Sequence, residues 1–140
     1  MSEFDAARLN MVNSQVRTNK VTDPDLIAAL GHLPREIFVD DRLEGVAYLD
    51  EDLPLGNGRF VMETMVMARM IQALALGVGD VVLDVGGGTG DIAFSFLKEG
   101  GGEVTVVDIN KEMLDVGKDR AIDRGILDNL DWTCGNAENL

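Results

Sequence analysis

Val81-Val82-Leu83-Asp84-Val85-Gly86-Gly87-Gly88-Thr89-Gly90-Asp91 is the stretch that decides the fold. A near-continuous apolar run bounded by glycines predicts a strand buried on both faces, as in parallel sheets. The glycines predict a tight turn, and Ile92 to Lys98 has the composition and length of a helix that Gly100-Gly101-Gly102 ends. Further on, Glu103 to Asp108 reads as a second strand. A helix from about Lys111 to Arg124 follows, with Met113, Leu114, Gly117 and Ala121 at helical intervals and Gly125 where a C′ glycine stops it. Leu130 to Cys134 reads as a third strand, followed by Gly135-Asn136-Ala137-Glu138-Asn139-Leu140. A β-α-β-α-β order is half of a doubly wound sheet, so the expected class is α/β, with about three parallel strands.

Upstream the texture is helical. Ser2 and Asp5 form an S-x-x-D capping pattern for a helix to about Arg17, with Phe4, Met11, Val12 and Val16 on one side. Asp23 is the expected N-cap of a second helix, with Pro24 at its first position and Leu26, Ile27 and Leu30 facing a core. Pro34 restarts the chain, and Arg35 to Val39 predicts a further helical turn. Tyr48 to Phe60 holds Asp50-Glu51-Asp52, Pro54 and Gly56-Asn57-Gly58 and reads as a loop. Glu63 to Leu76 reads as a helix with Gly77 as its stop. Residues 1–76 are thus an N-terminal helical segment, and residues 77–140 a partial Rossmann-like region of the same domain.

Composition narrows the function classes. The 140 residues carry 12 Lys and Arg against 25 Asp and Glu, a net charge of −13, which argues against nucleic acid as a partner because phosphate neutralisation needs clustered cations. Hydrophobic residues are 46% of the chain, enough for a globular core. The one cysteine, Cys134, closes no intrachain disulfide, and neither it nor His32 sits in a zinc-type cluster, so no metal site is expected. No apolar run reaches transmembrane length and the first residues are acidic, which makes the cytoplasm the expected compartment.

A strand, a glycine turn and a helix start form a site where a ligand approaches backbone closely. The spacing here, Asp84-x-Gly86-x-Gly88-x-Gly90, differs from the dinucleotide pattern G-x-G-x-x-G. Asp84 would repel a diphosphate but suits a cationic or zwitterionic ligand, and S-adenosylmethionine is one. Asp108 ends the second strand about twenty residues on, where a carboxylate accepts hydrogen bonds from ribose hydroxyls. The tip Asn136-Ala137 is placed to meet an adenine edge.

These residues resemble the seven-stranded S-adenosylmethionine-dependent methyltransferases. From Val81 to Leu140 the sequence is similar to the ubiquinone/menaquinone biosynthesis C-methyltransferase family, through Val82 to Ala93, Asp108-Ile109-Asn110-Lys111-Glu112-Met113-Leu114 and Gly135-Asn136-Ala137-Glu138. That resemblance implies cofactor contacts at Thr89, Asp108, Asn136 and Ala137, and a quinone precursor as methyl acceptor. Gly86 stands where that family often has alanine. The first half, residues 5 to 85, resembles the N-terminal region of protein-L-isoaspartate O-methyltransferases through Arg8 to Val12, Ile27 to Leu30, Pro34 to Val39 and Leu53 to Gly58. It implies a protein carboxyl acceptor. Where those enzymes carry a T-I-S-x-P-like stretch this chain reads Phe60-Val61-Met62-Glu63-Thr64, a departure that counts against isoaspartyl repair. The two resemblances give the chain a composite look.

The expected cofactor-binding residues are Asp84, Gly86, Gly88, Thr89, Gly90, Asp108, Asn136 and Ala137, and no catalytic residue is assigned. His32 reads as a surface or capping residue, and Cys134 and Trp132 as packing. Met62, Met65, Met67 and Met70 also read as packing, and the acidic runs Asp40-Asp41 and Asp50 to Asp52 as a solvated face. The third strand has no following helix to cover its edge, which favours self-association or a completing partner. A non-catalytic cofactor-binding fragment and a recombined scaffold are the alternative readings.

Overall fold

A computed structural model describes residues 2–139. The chain divides into two compact units, Met1–Ala75 and Leu76–Leu140.

The first unit opens with α1 (Glu3–Met11), started by a full capping box: the Asp5 amide donates to Ser2 Oγ at 3.1 Å and the Ser2 amide to Asp5 Oδ2 at 2.7 Å. The helix then widens into a π turn at Val12–Val16 and tightens into a 3-10 turn at Arg17–Asn19. Ser14 Oγ, Thr18 Oγ1 and Asn19 Nδ2 each donate back to the carbonyl four residues earlier, which competes with the regular ladder. α2 (Pro24–His32) starts as the sequence predicts, with Asp23 Oδ1 accepting from the Asp25 and Leu26 amides at 2.9 Å. A 3-10 turn forms at Arg35–Phe38 and another at Asp41–Val46.

The stretch expected to be a loop contains an antiparallel hairpin, β1 (Leu53–Gly56) and β2 (Arg59–Val61), with Leu53 opposite Val61 and Pro54 opposite Phe60. The turn residues Gly56, Asn57 and Gly58 all take positive φ, which Asn-Gly tolerates and which suits a tight hairpin. α3 (Thr64–Leu74) ends two residues before the expected Leu76, because Ala75 itself takes the left-handed conformation at φ 47°. Met11, Val12, Val16, Val21, Leu30, Leu53 and Ala68 form this unit's core. Met67 packs against that core, whereas Met62 and Met70 are exposed, so the methionines of α3 and its approach are only partly packing.

The second unit is β3 (Val81–Val85), α4 (Asp91–Lys98), β4 (Glu103–Asp108), α5 (Lys111–Asp123) and β5 (Leu130–Cys134). The strands are parallel in the order β3-β4-β5, with Val82, Val104 and Leu130 in register, then Asp84, Val106 and Trp132 two residues on. That row faces Ala93 of α4 and Leu114 of α5 and forms the core. Trp132 packs there, edge-on to Phe94 with centroids 6.2 Å apart. Gly125 stops α5 at φ 69°, as expected.

Two expectations are corrected. β3 is not buried on both faces: Val81, Leu83 and Val85 are 72%, 52% and 49% exposed, because the helices of this unit cover one face only. Cys134 is exposed and free rather than packed: it shares the strand face of Leu130 and Trp132 but is the last residue of β5, opposite Asp108 at the strand end.

Candidate ligand cleft at the strand ends

The three strands end together, and the loops that follow them enclose a cleft of about 330 Å³, the lower range of small-ligand sites. Val85, Gly86, Val107, Asp108, Ile109, Gly135, Asn136 and Ala137 line it. A larger hollow of about 630 Å³ lies at the opposite ends of β4 and β5, beside Gly101, Asp128 and Asn129. Ligands of open α/β sheets bind outside the carboxyl ends of strands, so the smaller cleft is the candidate.

Of the residues singled out from sequence, Gly86, Asp108, Asn136 and Ala137 meet at this cleft. Gly86 holds φ 73° and a Cβ there would meet nothing within 4 Å, so its backbone borders open space. Asp108 is anchored from both sides: Oδ2 accepts from the Gly88 amide at 2.9 Å and Oδ1 from the Asn110 amide at 2.8 Å. Each carboxylate oxygen keeps a further lone pair for a ligand hydroxyl. Gly135 is tied to the same strand end, its amide donating to the Asp108 carbonyl at 3.0 Å. Asn136 Oδ1 accepts from the Glu138 amide and shapes the turn at the cleft wall.

Asp84, Gly88, Thr89 and Gly90 are not in the cleft lining. Asp84 lies in the core row under the loop, with Oδ2 buried and without a hydrogen-bond partner among the described residues, and burial raises its pKa. The loop amides are also committed. Those of Gly86 and Gly87 donate to the Val107 carbonyl, that of Gly88 to Asp108, and that of Gly90 to the Gly87 carbonyl. Gly90 is required for another reason, since it holds φ 79° and a Cβ would come 2.6 Å from the Trp132 ring. The glycines therefore act here by clearance and conformation more than by donating to a ligand.

Thr89 belongs to a network that sequence reasoning missed. Arg120 Nη1 donates to Thr89 Oγ1 at 2.7 Å and to Asp91 Oδ2 at 3.0 Å, and Nη2 to Asp91 Oδ1. The hydrogen bond from Arg120 lowers the Asp91 pKa, helped by Thr89 and the Arg124 charge. Both guanidinium groups also stand over the Phe94 ring, at 5.8 Å for Arg120 and 4.7 Å for Arg124. Asp91 at the start of α4 suits the helix dipole, a signal legible in sequence. Arg120, 31 residues from Thr89, leaves no local signal. His32 is exposed, with Nδ1 2.7 Å from the Ala28 carbonyl at the end of α2. Among the described residues no group of three His, Cys, Asp or Glu is placed to hold a metal ion, and no helix is long and apolar enough to cross a membrane.

A glycine turn after a parallel strand, a carboxylate at the end of the next and a cleft beside them form the strand-end arrangement in which open α/β sheets take ligands. The profile of the ubiE/COQ5 methyltransferase family matches residues 59–140, and the chain belongs to that family. Membership implies S-adenosylmethionine as the cofactor. The chain is also similar to protein-L-isoaspartate O-methyltransferase 1 of Rhodopseudomonas palustris, 38% identical over 107 residues, or 76% of this chain and 43% of that protein. The protein-L-isoaspartate O-methyltransferase of Methylorubrum populi is 32% identical over 133 residues, 95% of this chain and 62% of that one. The chain spans about half the length of the curated relatives it matches. A solved protein-L-isoaspartate O-methyltransferase aligns at 24% identity and TM-score 0.49, covering 92% of this chain and 42% of the other. The dual resemblance read from the sequence therefore recurs: the family profile takes in the cofactor half, and relatives named for isoaspartate run across both halves.

The residues at the cleft fit the nucleoside part of the cofactor. Asp108 is a fixed acceptor, Ile109 offers an apolar surface, and Gly86 leaves room.

Proposed function

We propose that this chain binds S-adenosylmethionine at the carboxyl ends of β3, β4 and β5 and serves as the cofactor half of a methyltransferase. In this reading Asp108 takes the ribose hydroxyls, Asn136 and Ala137 border the adenine, and Gly86 gives the cofactor backbone clearance. Gly88 and Gly90 hold the loop, and Asp84 and Thr89 support it from below and from the helix side. The cofactor supplies an electrophilic methyl group, and the chain's own part is to orient it and keep the nucleoside dry. The observation that carries the reading is the convergence of Gly86, Asp108, Asn136 and Ala137 on one cleft.

The cofactor half favours carbon methylation of a quinone precursor, as in ubiquinone biosynthesis, because the family match lies there. A protein carboxyl acceptor is the second reading, supported by the relatives named for isoaspartate and opposed by Met62 and Thr64 in the stretch after the hairpin turn. A binding-only role remains the third reading. The compartment is read as cytoplasmic, and residues 1–76 and 77–140 as parts of one domain. The open edge of β5 favours self-association or a completing partner, and for self-association sedimentation that changes with concentration is the expected sign and a strict monomer the contrary one.

Calorimetric titration with S-adenosylmethionine and its demethylated product tests the cofactor assignment. Saturable binding is expected, weakened in Asp108→Ala by about 1.5–3 kcal/mol through loss of charge-assisted hydrogen bonds. A folded chain that binds neither compound overturns the proposal, and unchanged affinity in the variant overturns the ribose assignment.

A further inference from the structure

The Asp108 carboxylate is only as well placed as the loop that orients it. Its Oδ2 accepts from the Gly88 amide, and Gly88 lies between Gly86 and Gly90 in a segment where all three glycines take positive φ. Glycines have little conformational preference of their own, so contacts from outside must fix this segment. On the sheet side the Gly86 and Gly87 amides donate to the Val107 carbonyl at 2.7 and 3.3 Å.

On the helix side, one face of α5 backs the loop along its length. Met113, Gly117 and Arg120 occupy the i, i+4 and i+7 positions of that face. A Cβ on Gly88 would come 2.8 Å from Met113 Cε, and a Cβ on Gly117 would come 3.1 Å from the Thr89 carbonyl oxygen, so helix and loop touch closely. Arg120 ends the row with a directional contact, Nη1 donating to Thr89 Oγ1 at 2.7 Å. The Thr89 hydroxyl in turn donates to Asp91 Oδ2 at 3.2 Å. A threonine hydroxyl has one proton, so Thr89 has none left for a ligand and acts as an anchor. Arg120 is itself held in place, by both Asp91 oxygens and by the Phe94 ring beneath it.

We propose that Arg120 is a positioning residue for the cofactor: it clamps Thr89 to α5 and so holds Gly88, whose amide orients the Asp108 carboxylate. The inference rests on the assignment of Asp108 to the ribose. Arg120 lies outside the cleft lining and acts through the loop. A loop ordered in advance spares the cost of ordering it when the ligand binds, which raises affinity.

The test uses Arg120→Met, which keeps the aliphatic stem over Phe94 and removes the donors. Lys118→Met is the control, with the same change of charge on the same helix at a residue paired with Asp115. Both are measured in the full chain, well below its denaturation midpoint. In the free chain, hydrogen exchange at the Gly88 amide should quicken about two- to fivefold in Arg120→Met, the range of a part-exposed pair, while the amides of β4 keep their rates. S-adenosylmethionine should bind Arg120→Met about two- to fivefold more weakly by calorimetric titration, and Lys118→Met as it binds the parent. Thr89→Val removes the other end of the same hydrogen bond and should reproduce both changes, and the double variant should lose less than the sum of the two single losses. Quickening at Gly88 that is matched throughout β4 makes Arg120 a general stabiliser and overturns the proposal. So do parental affinity in Arg120→Met, an equal loss in Lys118→Met, or additive losses in the double variant. A parent chain that binds no cofactor overturns the cofactor reading and the positioning role with it, a failure that the parent alone reveals.

Discussion

The two units of this chain solve the burial problem differently. The N-terminal unit wraps short helices and a hairpin around a closed apolar cluster and then admits polar groups to it. Tyr48 is the hub of those groups: its hydroxyl accepts from Arg8 Nε at 2.9 Å and from the Arg35 amide at 3.2 Å, and donates to Glu36. Arg8 closes the ring with Glu36 at 3.2 Å and stands over the Tyr48 ring. The C-terminal unit instead keeps its polar network at the surface, in Arg120 and Asp91, and rests on a one-sided core of Val104, Val106, Leu114 and Ala93. Its other sheet face shows Val81, Leu83 and Val85 to solvent, although parallel sheets are ordinarily covered on both faces. The first unit therefore draws specificity from buried hydrogen bonds, and the second from a few apolar side chains with little redundancy.

The sharpest way to break this comparison is Leu114→Ala. Leu114 is 1% exposed in a core of few residues, so the expected loss is about 2–5 kcal/mol, read as a lower denaturation midpoint of Trp132 fluorescence. A loss below about 1 kcal/mol would mean that the one-sided core is not what holds the sheet.

Tyr48→Phe tests the other unit at intermediate size. Removing the hydroxyl takes one hydrogen bond each from Glu36, Arg8 and the Arg35 amide, for an expected cost of about 1–3 kcal/mol by urea denaturation followed in the far ultraviolet. The pH dependence adds a signature. Burial opposes ionisation of Glu36, but the hydrogen bonds from Tyr48 and the backbone and the nearby Arg8 outweigh it and hold its pKa below the ordinary carboxylate value. A depressed folded pKa contributes stability that is present above the unfolded value, about 4.3, and is lost as pH falls through the folded one. The acid limb of the stability profile should therefore flatten in Glu36→Gln, and an unchanged limb would remove Glu36 from the account.

Asp91→Asn should have the smallest effect. Its side chain is 63% exposed and that of Arg120 33%, and solvent-screened pairs contribute about 0.2–1 kcal/mol. High salt should erase the difference between parent and variant, whereas a larger, salt-independent loss would show that the Thr89 loop depends on this pair.

Much of the framework was determined by the sequence alone. The three strands, the helices between them, the Ser2 capping box, Asp23 with Pro24 and the stop at Gly125 all depend on residues a few positions apart, where propensity and capping act directly. Asp108, Asn136 and Ala137 were legible as one site for a related reason: parallel strands end on the same side, so residues just past each end must meet. The hairpin was also legible in Asn57-Gly58, but the polar run before it masked the signal. Only the tertiary structure decided that Asp84 points into the core row, that Arg120 reaches back to Thr89, and that Arg35 and Thr64 are both buried. Those outcomes depend on which face of a strand is covered and on partners tens of residues away, and local periodicity carries no information about either.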